Sequence, residues 1–310
     1  MELALCIDKN VLEPCGVVIK SVCENNQNET INFHILTDNS ITEEHKGILR
    51  DIILGYEGKK INFYLVDNSI MDNYPNTKNH ATITKVTYYR LFLADILSPT
   101  TEKVIYLDSD IIVRKSLLPL WNTDLNNCPL AAVCDMDEQK EEKYQRLDYD
   151  PKWGYFNAGI LALNLAYWRE NKITQKCMDF ISEHPEKIIQ HDQDVLNYVL
   201  HEKRKPLSMR YNFQNGFMYK TKKFEQGKYA EDLALSLQDP VIVHYTCDKP
   251  WKENCDNPLR NLYFIYRNMT IWKDKPLIKE KRNTSYYWKK LMLTLHLHKK
   301  RQYINISLKS

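Results

Sequence analysis

Residues 103–113 read KVIYLDSDIIV, and this run places two carboxylates, Asp108 and Asp110, inside one of the most apolar and β-prone stretches of the chain. In an extended segment residues i and i+2 face the same way, so we expect both carboxylates to project together near the carboxyl end of a strand. Adjacent carboxylates repel each other and lose hydration unless a cation or hydrogen-bond donors intervene. A divalent metal resolves this conflict, and oxygen ligands suit Mg²⁺ or Mn²⁺. The same triplet also fits a strand that ends in a capped, solvated turn.

On either side of this run the chain alternates between strand-like and helical patterns. Apolar stretches of strand length are found at 3–7, 31–36, 61–66, 104–107, 130–134, 159–163 and 241–244. Helical patterns are found near 14–26, 42–54, 84–97, 166–183 and 192–202. This rhythm is typical of βαβ units around a mostly parallel sheet. It predicts one α/β domain over residues 1–275, with a mixed, mostly parallel central sheet flanked by helices, and a helical basic tail over 276–310.

The composition is that of a soluble globular protein. Of 310 residues, 43% are apolar and 27% are charged, which suffices for a sizeable core and lacks the bias of a disordered chain. Residues 279–310 hold nine Lys or Arg and one acid, so the formal net charge of +3 hides a body that is net negative. Because the basic character belongs to the tail, we expect no nucleic-acid binding by the body.

Several signals of other protein classes are missing from the sequence. There is no basic segment before an apolar run at the amino terminus, and no apolar run approaches about 20 residues, so we expect a cytoplasmic protein without a transmembrane helix. The eight cysteines include no C-x-x-C pair, which favours reduced, buried thiols over disulfides or zinc. The eight glycines form neither G-x-G-x-x-G nor a Walker A loop, so a bound nucleotide would be held by other means.

A resemblance to a known family connects the D-x-D triplet to the rest of the chain. IYLDSDIIV (105–113) resembles the D-x-D strand of glycosyltransferases with the GT-A fold, a nucleotide-sugar-binding fold. The flanking blocks narrow the resemblance to the retaining family 8, which includes bacterial lipopolysaccharide galactosyl- and glucosyltransferases and glycogenin. These blocks follow in the family's order: an N-terminal strand with Asp8 and Asn10, TYYRLFLADIL (87–97), LWNTDL (120–125), FNAGILALNL (156–165), HDQDVLN (191–197) and HYTCDKPW (244–251). The resemblance extends from residue 1 to about residue 272 and implies a UDP-sugar donor.

The resemblance implies where the nucleotide of the donor would bind. The first strand and its turn, with Cys6, Asp8 and Asn10, would hold the uracil and ribose, and Ser109 would face the ribose. Asp8 and Asn10 are also ordinary turn formers, and the two roles are compatible. Arg90 lies among apolar residues and therefore needs an acidic partner. The family uses this arginine beside the donor sugar and phosphates, and a structural ion pair is the alternative.

The resemblance also implies a metal site and a phosphate contact. His244 follows an apolar strand and would complete the metal site with Asp108 and Asp110, although a histidine at a strand end is more often structural. Mixed O/O/N ligation slightly favours Mn²⁺ over Mg²⁺. Lys249 matches the lysine that meets the diphosphate. The loop HYTCDKPW is one residue shorter than the family's HxxGxxKPW and lacks its glycine.

Asn157, Ala158, Asp192 and Gln193 match the donor-sugar pocket of the family. Asp192 would accept hydroxyl hydrogen bonds, and Gln193 would lie at the β-face of the anomeric carbon. A covalent intermediate requires a competent nucleophile, and a glutamine amide is a poor one. We therefore expect same-face substitution through an oxocarbenium-like state, with Asp192 and Gln193 as the catalytic residues. Gln193 would contribute electrostatics, and the leaving diphosphate would help to deprotonate the acceptor.

The tail combines aromatic, apolar and basic residues in helical order. Trp288, Leu291, Met292 and Leu295 follow an i, i+3, i+4, i+7 spacing. The same segment contains Tyr286, Tyr287, Leu297, Lys289, Lys290, Lys299, Lys300 and Arg301. Such a helix suits an anionic membrane surface, and a frayed helix packed on the core is the alternative. Because the bacterial branch uses membrane-bound glycans, we expect a lipooligosaccharide or lipid-linked acceptor and peripheral association with the inner face of the cytoplasmic membrane.

Two other classes share parts of the pattern. A haloacid-dehalogenase-type phosphatase also uses D-x-D on a strand, but on its first strand and usually followed by Thr or Val, whereas here Ile-Ile-Val follows. A non-catalytic sugar-binding module would not need two metal-ready acids. The favoured interpretation is a retaining, metal-dependent transferase of galactose or glucose, with an acceptor pocket near 69–82 and 208–224.

Overall fold

The computed structural model describes residues 1–67, 69, 74–75, 85–220, 224–279, 284–295, 302–306 and 308. The strands are β1 (Glu2–Ile7), β2 (Ile31–Thr37), β3 (Lys59–Leu65), β4 (Lys103–Leu107), β5 (Ile111–Val113), β6 (Leu130–Cys134), β7 (Phe156–Asn164), β8 (Arg204–Pro206), β9 (Phe213–Gln214) and β10 (Ile242–His244). The α-helices are α1 (Leu12–Asn25), α2 (Glu43–Ile53), α3 (Leu93–Ile96), α4 (Leu118–Trp121), α5 (Glu141–Leu147), α6 (Leu165–Glu170), α7 (Ile173–Glu183), α8 (Asp192–Leu200), α9 (Ala230–Gln238), α10 (Arg260–Arg267) and α11 (Thr284–Thr294). Most of the predicted acceptor loop 69–82, and residues 221–223 of the other, lie outside the described residues.

A mixed, mostly parallel sheet of seven strands forms the centre of the molecule, in the order β3-β2-β1-β4-β7-β6-β8. β1 pairs in parallel with β2 and β4, and β2 pairs in parallel with β3, whereas β7 is antiparallel to β4 and β6. The predicted α/β class is confirmed. Because β1 to β4 run in one direction, their carboxyl ends meet at one edge of the sheet, where ligands bind in open α/β folds.

A second sheet of three strands, in the order β5-β10-β9, corrects the interpretation of KVIYLDSDIIV. The run is two strands: β4 ends at Leu107 in the large sheet, and β5 begins at Ile111 in the small one, antiparallel to β10. Asp108 therefore follows β4 and Asp110 precedes β5, so the two carboxylates do not project from a single strand. The apolar pattern is continuous because β4 and β5 are both buried, so periodicity alone does not reveal the change of sheet.

Two predicted helices also differ from the structure. Most of the 84–97 pattern is a 3-10 helix, Lys85–Phe92, and only Leu93–Ile96 is α-helical. Its β-branched and aromatic residues are poor α-helix formers. The 166–183 pattern is divided into α6 and α7 because Lys172 adopts a left-handed conformation with φ of 52°.

Apolar layers cover both faces of the central sheet. Along β1, Leu3, Leu5 and Ile7 belong to the layer that includes α1, whereas Ala4 and Cys6 belong to the opposite layer. This alternation follows from strand geometry. A third apolar cluster packs around the small sheet and α10. All eight cysteines are free and six are buried, but Cys128 is only partly buried and Cys247 is exposed, which the prediction of buried thiols missed.

The tail contacts the body at its far end. Ile304 N–H donates to the Met218 carbonyl at 2.9 Å, and the Tyr303 hydroxyl donates to Asp256 Oδ1 at 2.9 Å. Ile306 packs against the third apolar cluster. The side chains of Trp288 and Leu291 in α11, and of Leu295 directly after it, are exposed, whereas Met292 is partly buried. Other tail positions that carried the prediction lie outside the described residues or have side chains that do: Tyr286, Lys289, Lys290, Leu297, Lys299, Lys300 and Arg301.

None of the helices among the described residues combines the length and apolarity needed to cross a bilayer.

Candidate active site

Asp108, Asp110 and His244 come together where the two sheets meet. Asp108 follows β4, Asp110 precedes β5, and His244 ends β10, which pairs with β5. His244 Nε2 lies 3.2 Å from Asp110 Oδ1 and 3.8 Å from Asp108 Oδ2. One potential ligand atom from each residue lies within 4.8 Å of the others. Two carboxylates and an imidazole at this spacing can share a divalent cation.

Gly159 of β7 lies directly against this cluster. Its carbonyl accepts a hydrogen bond from the Asp108 N–H at 2.8 Å. A Cβ atom at this position would lie 2.3 Å from His244 Cε1 and 2.7 Å from Asp108 Oδ2, which is closer than a Cβ atom can approach. Only glycine therefore allows β7 to pack against both Asp108 and His244. The close packing and the donor set fit a metal site.

Arg90 is the buried cation of the site. It is 4% exposed, and its guanidinium lies over the Tyr106 ring, 4.2 Å from the centroid. Nη2 donates to Asp108 Oδ1 at 2.9 Å, Nη1 donates to the Ala158 carbonyl at 2.5 Å, and Nε donates to the Thr87 carbonyl at 2.9 Å. The Tyr106 hydroxyl donates to the same Asp108 oxygen at 2.8 Å. The acidic partner expected for Arg90 is thus one of the D-x-D carboxylates.

A second carboxylate, Asp192 at the start of α8, faces the same arginine. Asp192 Oδ2 lies 3.0 Å from Arg90 Nε. This contact is an ion pair without a hydrogen bond, because the Nε–H group donates to the Thr87 carbonyl instead. Burial raises the pKa of Asp192 to about 6, against the opposing charge of Arg90 and with a contribution from Asp108. The preceding His191 has φ of 50° and ψ of −131°, a conformation that favours glycine. This strained residue directs the chain into α8 beside the site.

Gln193 connects α8 to β7. Its Oε1 accepts hydrogen bonds from the Ala158 N–H at 3.0 Å and from Asn157 Nδ2 at 3.1 Å. Its Nε2 donates to Asp135 Oδ2 at 3.2 Å. Asp135 also pairs with Lys143 at 2.8 Å. The structure therefore brings Asn157, Ala158 and Gln193 of the predicted sugar pocket into direct contact. Both the oxygen and the nitrogen of the Gln193 amide are hydrogen-bonded.

The turn after β1 has the geometry expected of its residues. Asp8 Oδ1 accepts from the Asn10 backbone N–H at 2.8 Å, and Asp8 Oδ2 accepts from the Asn10 side chain at 3.2 Å. In the described part of the chain, no hydrogen bond or ion pair links these two residues to the D-x-D cluster. Cys6 is buried, and this burial raises the pKa of its thiol, against the opposing charge of Arg90. Ser109 is partly exposed between the two acids.

Lys249 points towards the D-x-D triplet. Its ammonium pairs with Asp110 Oδ2 and donates to the Tyr245 carbonyl at 2.8 Å. Burial alone would raise the pKa of Asp110, but Lys249 and His244 hold it well below its usual range. Asp110 is therefore ionised at neutral pH. A diphosphate at this site would compete with Asp110 for the ammonium.

Sequence reasoning missed two polar residues of the site, Asp135 and Asn212. Asp135 directly follows β6, which runs in the same direction as β4, so it reaches the same edge of the sheet as Asp108. An acid placed directly after a predicted strand was the available signal. Asn212 is hydrogen-bonded to both Asn157 and His244 at 2.8 Å. No local motif marks Asn212, because its partners lie 55 and 32 positions away in the chain.

The fold and the site together define a glycosyltransferase with the GT-A fold. A crystal structure of the galactosyltransferase LgtC, in complex with donor and acceptor sugar analogues, is similar with a TM-score of 0.79 and 26% sequence identity. The similarity covers 93% of this chain and 100% of the LgtC chain. The predicted GT-A architecture is thereby confirmed.

The profile of the family described as "Glycosyl transferase family 8" matches residues 2–255, and the chain belongs to this family. General stress protein A of Bacillus subtilis (strain 168) is 30% identical to the chain over 277 residues, with 88% of this chain and 94% of that protein covered. Lipopolysaccharide glucosyltransferase WaaO of Escherichia coli (strain K12) is 29% identical, with 97% of this chain and 87% of that protein covered. Family membership decides against the phosphatase and the non-catalytic sugar-binding module.

Proposed function

We propose that this protein is a retaining, metal-dependent hexosyltransferase that moves glucose or galactose from a UDP-sugar to a lipooligosaccharide or another lipid-linked glycan. One observation carries the proposal: Asp108 belongs both to the cluster with Asp110 and His244 and to the buried site of Arg90 and Asp192. A metal site and a polar pocket for the sugar are therefore contiguous. Relatives described as a glucosyltransferase and a galactosyltransferase support the choice of hexose.

The nucleotide would lie across the carboxyl ends of β1 and β4. Cys6, Asp8 and Asn10 would contact the uracil and ribose, and Ser109 would face the ribose. The turn geometry of Asp8 and Asn10 is compatible with this role, because the Asn10 side chain is exposed beside it. Lys249 would move from Asp110 to the diphosphate, since an ammonium held by one carboxylate can reach an adjacent anion.

Asp108, Asp110 and His244 would hold the divalent metal, with Mn²⁺ favoured over Mg²⁺ because one ligand is nitrogen. A bound metal supplies positive charge that stabilises the leaving diphosphate. Arg90 would add charge on the sugar side while it fixes Asp108 in position through their 2.9 Å hydrogen bond.

Asp192, Gln193, Asn157 and Ala158 would form the donor-sugar pocket. Asp192 Oδ2 is buried without a hydrogen-bond partner, and a sugar hydroxyl would satisfy it. Gln193 Oε1 already accepts two hydrogen bonds, which reduces its nucleophilicity further. We therefore favour same-face substitution, with Gln193 stabilising positive charge at the anomeric centre. A glycosyl adduct on Gln193 or Asp192, trapped and seen by mass spectrometry, would overturn this mechanism.

The decisive test is hydrolysis and transfer with a panel of UDP-sugars, with and without Mn²⁺. We expect release of UDP from UDP-glucose or UDP-galactose that depends on Mn²⁺ and is lost in Asp110→Asn. Anomeric configuration of the product, read by NMR, tests retention. Metal-independent turnover, or no turnover of either donor, would refute the proposal. If the enzyme is active, an array of lipid-linked acceptors would identify its acceptor.

We further propose that α11 and its basic surroundings attach the enzyme to the cytoplasmic face of an anionic membrane. Trp288, Leu291 and Leu295 are exposed on a helix within a strongly basic segment, which suits an interfacial helix. Because residues 302–306 pack on the body, point substitutions are cleaner than deletion of the tail. Leu291→Glu and Trp288→Glu should release the protein from anionic vesicles and leave UDP-sugar hydrolysis unchanged. Leu54→Glu, at an exposed leucine after α2, is the matched control, and unchanged vesicle binding in the α11 variants would contradict the proposal.

A further inference from the structure

We propose that Asn212 is a positioning residue that fixes the tautomer of His244 and connects the metal ligands to the donor-sugar pocket. The inference rests on the proposed function for its catalytic meaning. Its structural basis is a chain of three side-chain amides, from Gln193 through Asn157 to Asn212, that ends on the His244 imidazole. The two asparagines and the histidine are buried, with exposures of 8%, 0% and 3% in chain order.

Backbone N–H groups set the orientation of these amides. Gly159 N–H donates to Asn157 at 3.0 Å, so the accepting atom of that side chain is its oxygen. Ala158 N–H donates to Gln193 at 3.0 Å, which identifies the Gln193 oxygen in the same way. A backbone N–H is always a donor, so neither amide can be reversed without leaving a buried donor unpaired.

The orientation of Asn212 then follows. The atom of Asn212 that lies 2.8 Å from the Asn157 oxygen has to donate, so it is Nδ2. The other atom of the amide is therefore the oxygen, and it lies 2.8 Å from His244 Nδ1. An oxygen that only accepts requires a proton on Nδ1.

His244 is thus held with a hydrogen on Nδ1, so Nε2 is the nitrogen whose lone pair becomes available to a metal. Nε2 is the atom that faces the two carboxylates, 3.2 Å from Asp110 Oδ1. A neutral imidazole with this lone pair is the form that binds a metal. A ring with hydrogen on Nε2 and none on Nδ1 would present an N–H, and no lone pair, to a cation held by the carboxylates.

The same chain reaches the sugar side. Asn157 Nδ2 donates to the Gln193 oxygen at 3.1 Å, so a change in Asn212 alters the support of Gln193 as well as that of His244. Asn212 has two separable functions: its oxygen serves the histidine, and its Nδ2 group serves the sugar pocket.

The test separates these two functions with two substitutions. Asn212→Leu removes both hydrogen bonds, whereas Asn212→Asp keeps an acceptor for His244 and loses the donor to Asn157. Asn215→Ala is the control, because Asn215 is a buried asparagine of the same segment whose amide atoms have no hydrogen-bond partner in the structure. Folding of each variant is checked by its melting temperature.

The first readout needs neither metal nor donor. ¹⁵N NMR of the histidine-labelled, metal-free protein, about two pH units above the reference pKa of histidine, reports which ring nitrogen carries hydrogen. The His244 signal is assigned from its absence in His244→Gln. We expect hydrogen on Nδ1 in the wild type, Asn212→Asp and Asn215→Ala, whether or not Nε2 also carries one beside the carboxylates. In Asn212→Leu we expect Nδ1 to lose its hydrogen wholly or in part.

The second readout is binding and turnover. We expect Asn212→Leu to weaken Mn²⁺ binding about 10- to 100-fold, and Asn212→Asp to bind Mn²⁺ within a few-fold of the wild type. Asn212→Asp should instead raise KM for the UDP-sugar, because Asn157 and Gln193 lose their support.

A wild-type His244 without hydrogen on Nδ1, or an unchanged Nδ1 signal and Mn²⁺ affinity in Asn212→Leu, would overturn the inference. Absence of Mn²⁺ binding by the wild type would instead refute the proposed function, and the tautomer would still decide the role of Asn212.

Discussion

The two edges of the central sheet differ in how their charged side chains are paired. At the amino edge, Glu2 pairs with His34 at 2.6 Å, and Lys103 donates to the carbonyls of Trp121 and Thr123. The partners of these charges include none of the residues of the candidate active site. We therefore expect this edge to affect stability rather than catalysis.

At the carboxyl edge the charges are shared and partly open. Asp108 accepts from Arg90 and Tyr106 and still faces His244, and Asp192 Oδ2 is buried without a hydrogen-bond partner. An open buried acceptor costs stability unless a ligand satisfies it. The difference indicates that substitutions at the carboxyl edge should affect catalysis first, whereas those at the amino edge should affect only folding.

Gly159→Ala should have the largest effect. The added methyl group would collide with His244 and Asp108, so we expect UDP-sugar hydrolysis to fall by about 10³-fold or more and Mn²⁺ binding to be lost. Gly47→Ala in α2 is the control, because nothing lies within 4 Å of its Cβ position. That variant should keep full activity and gain about 0.5–1 kcal/mol of stability. Isothermal titration measures Mn²⁺ binding, and a donor hydrolysis assay measures the activity of both variants.

Arg90→Met tests whether loss of a cation at the carboxyl edge affects turnover more than loss of Lys103 at the amino edge. Removal of Arg90 leaves Asp108 and Asp192 without their buried cation, so we expect a loss of about 3–5 kcal/mol in the free energy of unfolding and no turnover. Lys103→Met at the amino edge removes hydrogen bonds to two carbonyls and should cost about 1–3 kcal/mol while hydrolysis persists. Turnover is measured by donor hydrolysis, and the free energy of unfolding by urea denaturation. Equal losses of turnover in the two variants would contradict a functional difference between the two edges.

Asp192 should give the carboxyl edge a pH-dependent stability. Burial raises the pKa of Asp192 from 3.8 to about 6, so between these values the folded protein binds a proton that the unfolded chain releases. The contribution is present below about pH 4 and is lost as pH rises through about 6, a change of about 3 kcal/mol. Relative to Asp192→Asn, the metal-free wild type should therefore lose stability from pH 4 to 7 in urea denaturation. A constant difference between the two proteins would contradict the raised pKa.

Glu2→Gln should have the smallest effect. Glu2 is partly exposed, so loss of its charge beside His34 should cost about 1 kcal/mol or less. Mn²⁺ binding and hydrolysis should match those of the wild type. A change in KM for the donor would show that the two edges of the sheet are coupled.

Much of the site could be predicted from sequence because its residues occur in blocks with characteristic neighbours. The D-x-D triplet indicated Asp108 and Asp110, and the resemblance of HYTCDKPW to the family added His244; the structure brings the three together. The network through Asp135 and Asn212 could not be predicted in the same way. Asp135 had only the weak signal of an acid after a predicted strand, and Asn212 had none. Their contacts exist because the segment before β9 of the small sheet lies against β6 and β7 of the large one.

The sequence by itself determined the α/β class, through the periodicity of its strands, and the family, through motifs that follow in order along the chain. It also nominated Asp108, Asp110 and His244 as candidate metal ligands, which the structure brings together. Only the tertiary structure decided that the D-x-D triplet crosses between two sheets, that Lys249 pairs with Asp110 and that Asn212 orients His244. These contacts join residues far apart in the chain. Their geometry depends on packing between elements, which the order of residues does not express.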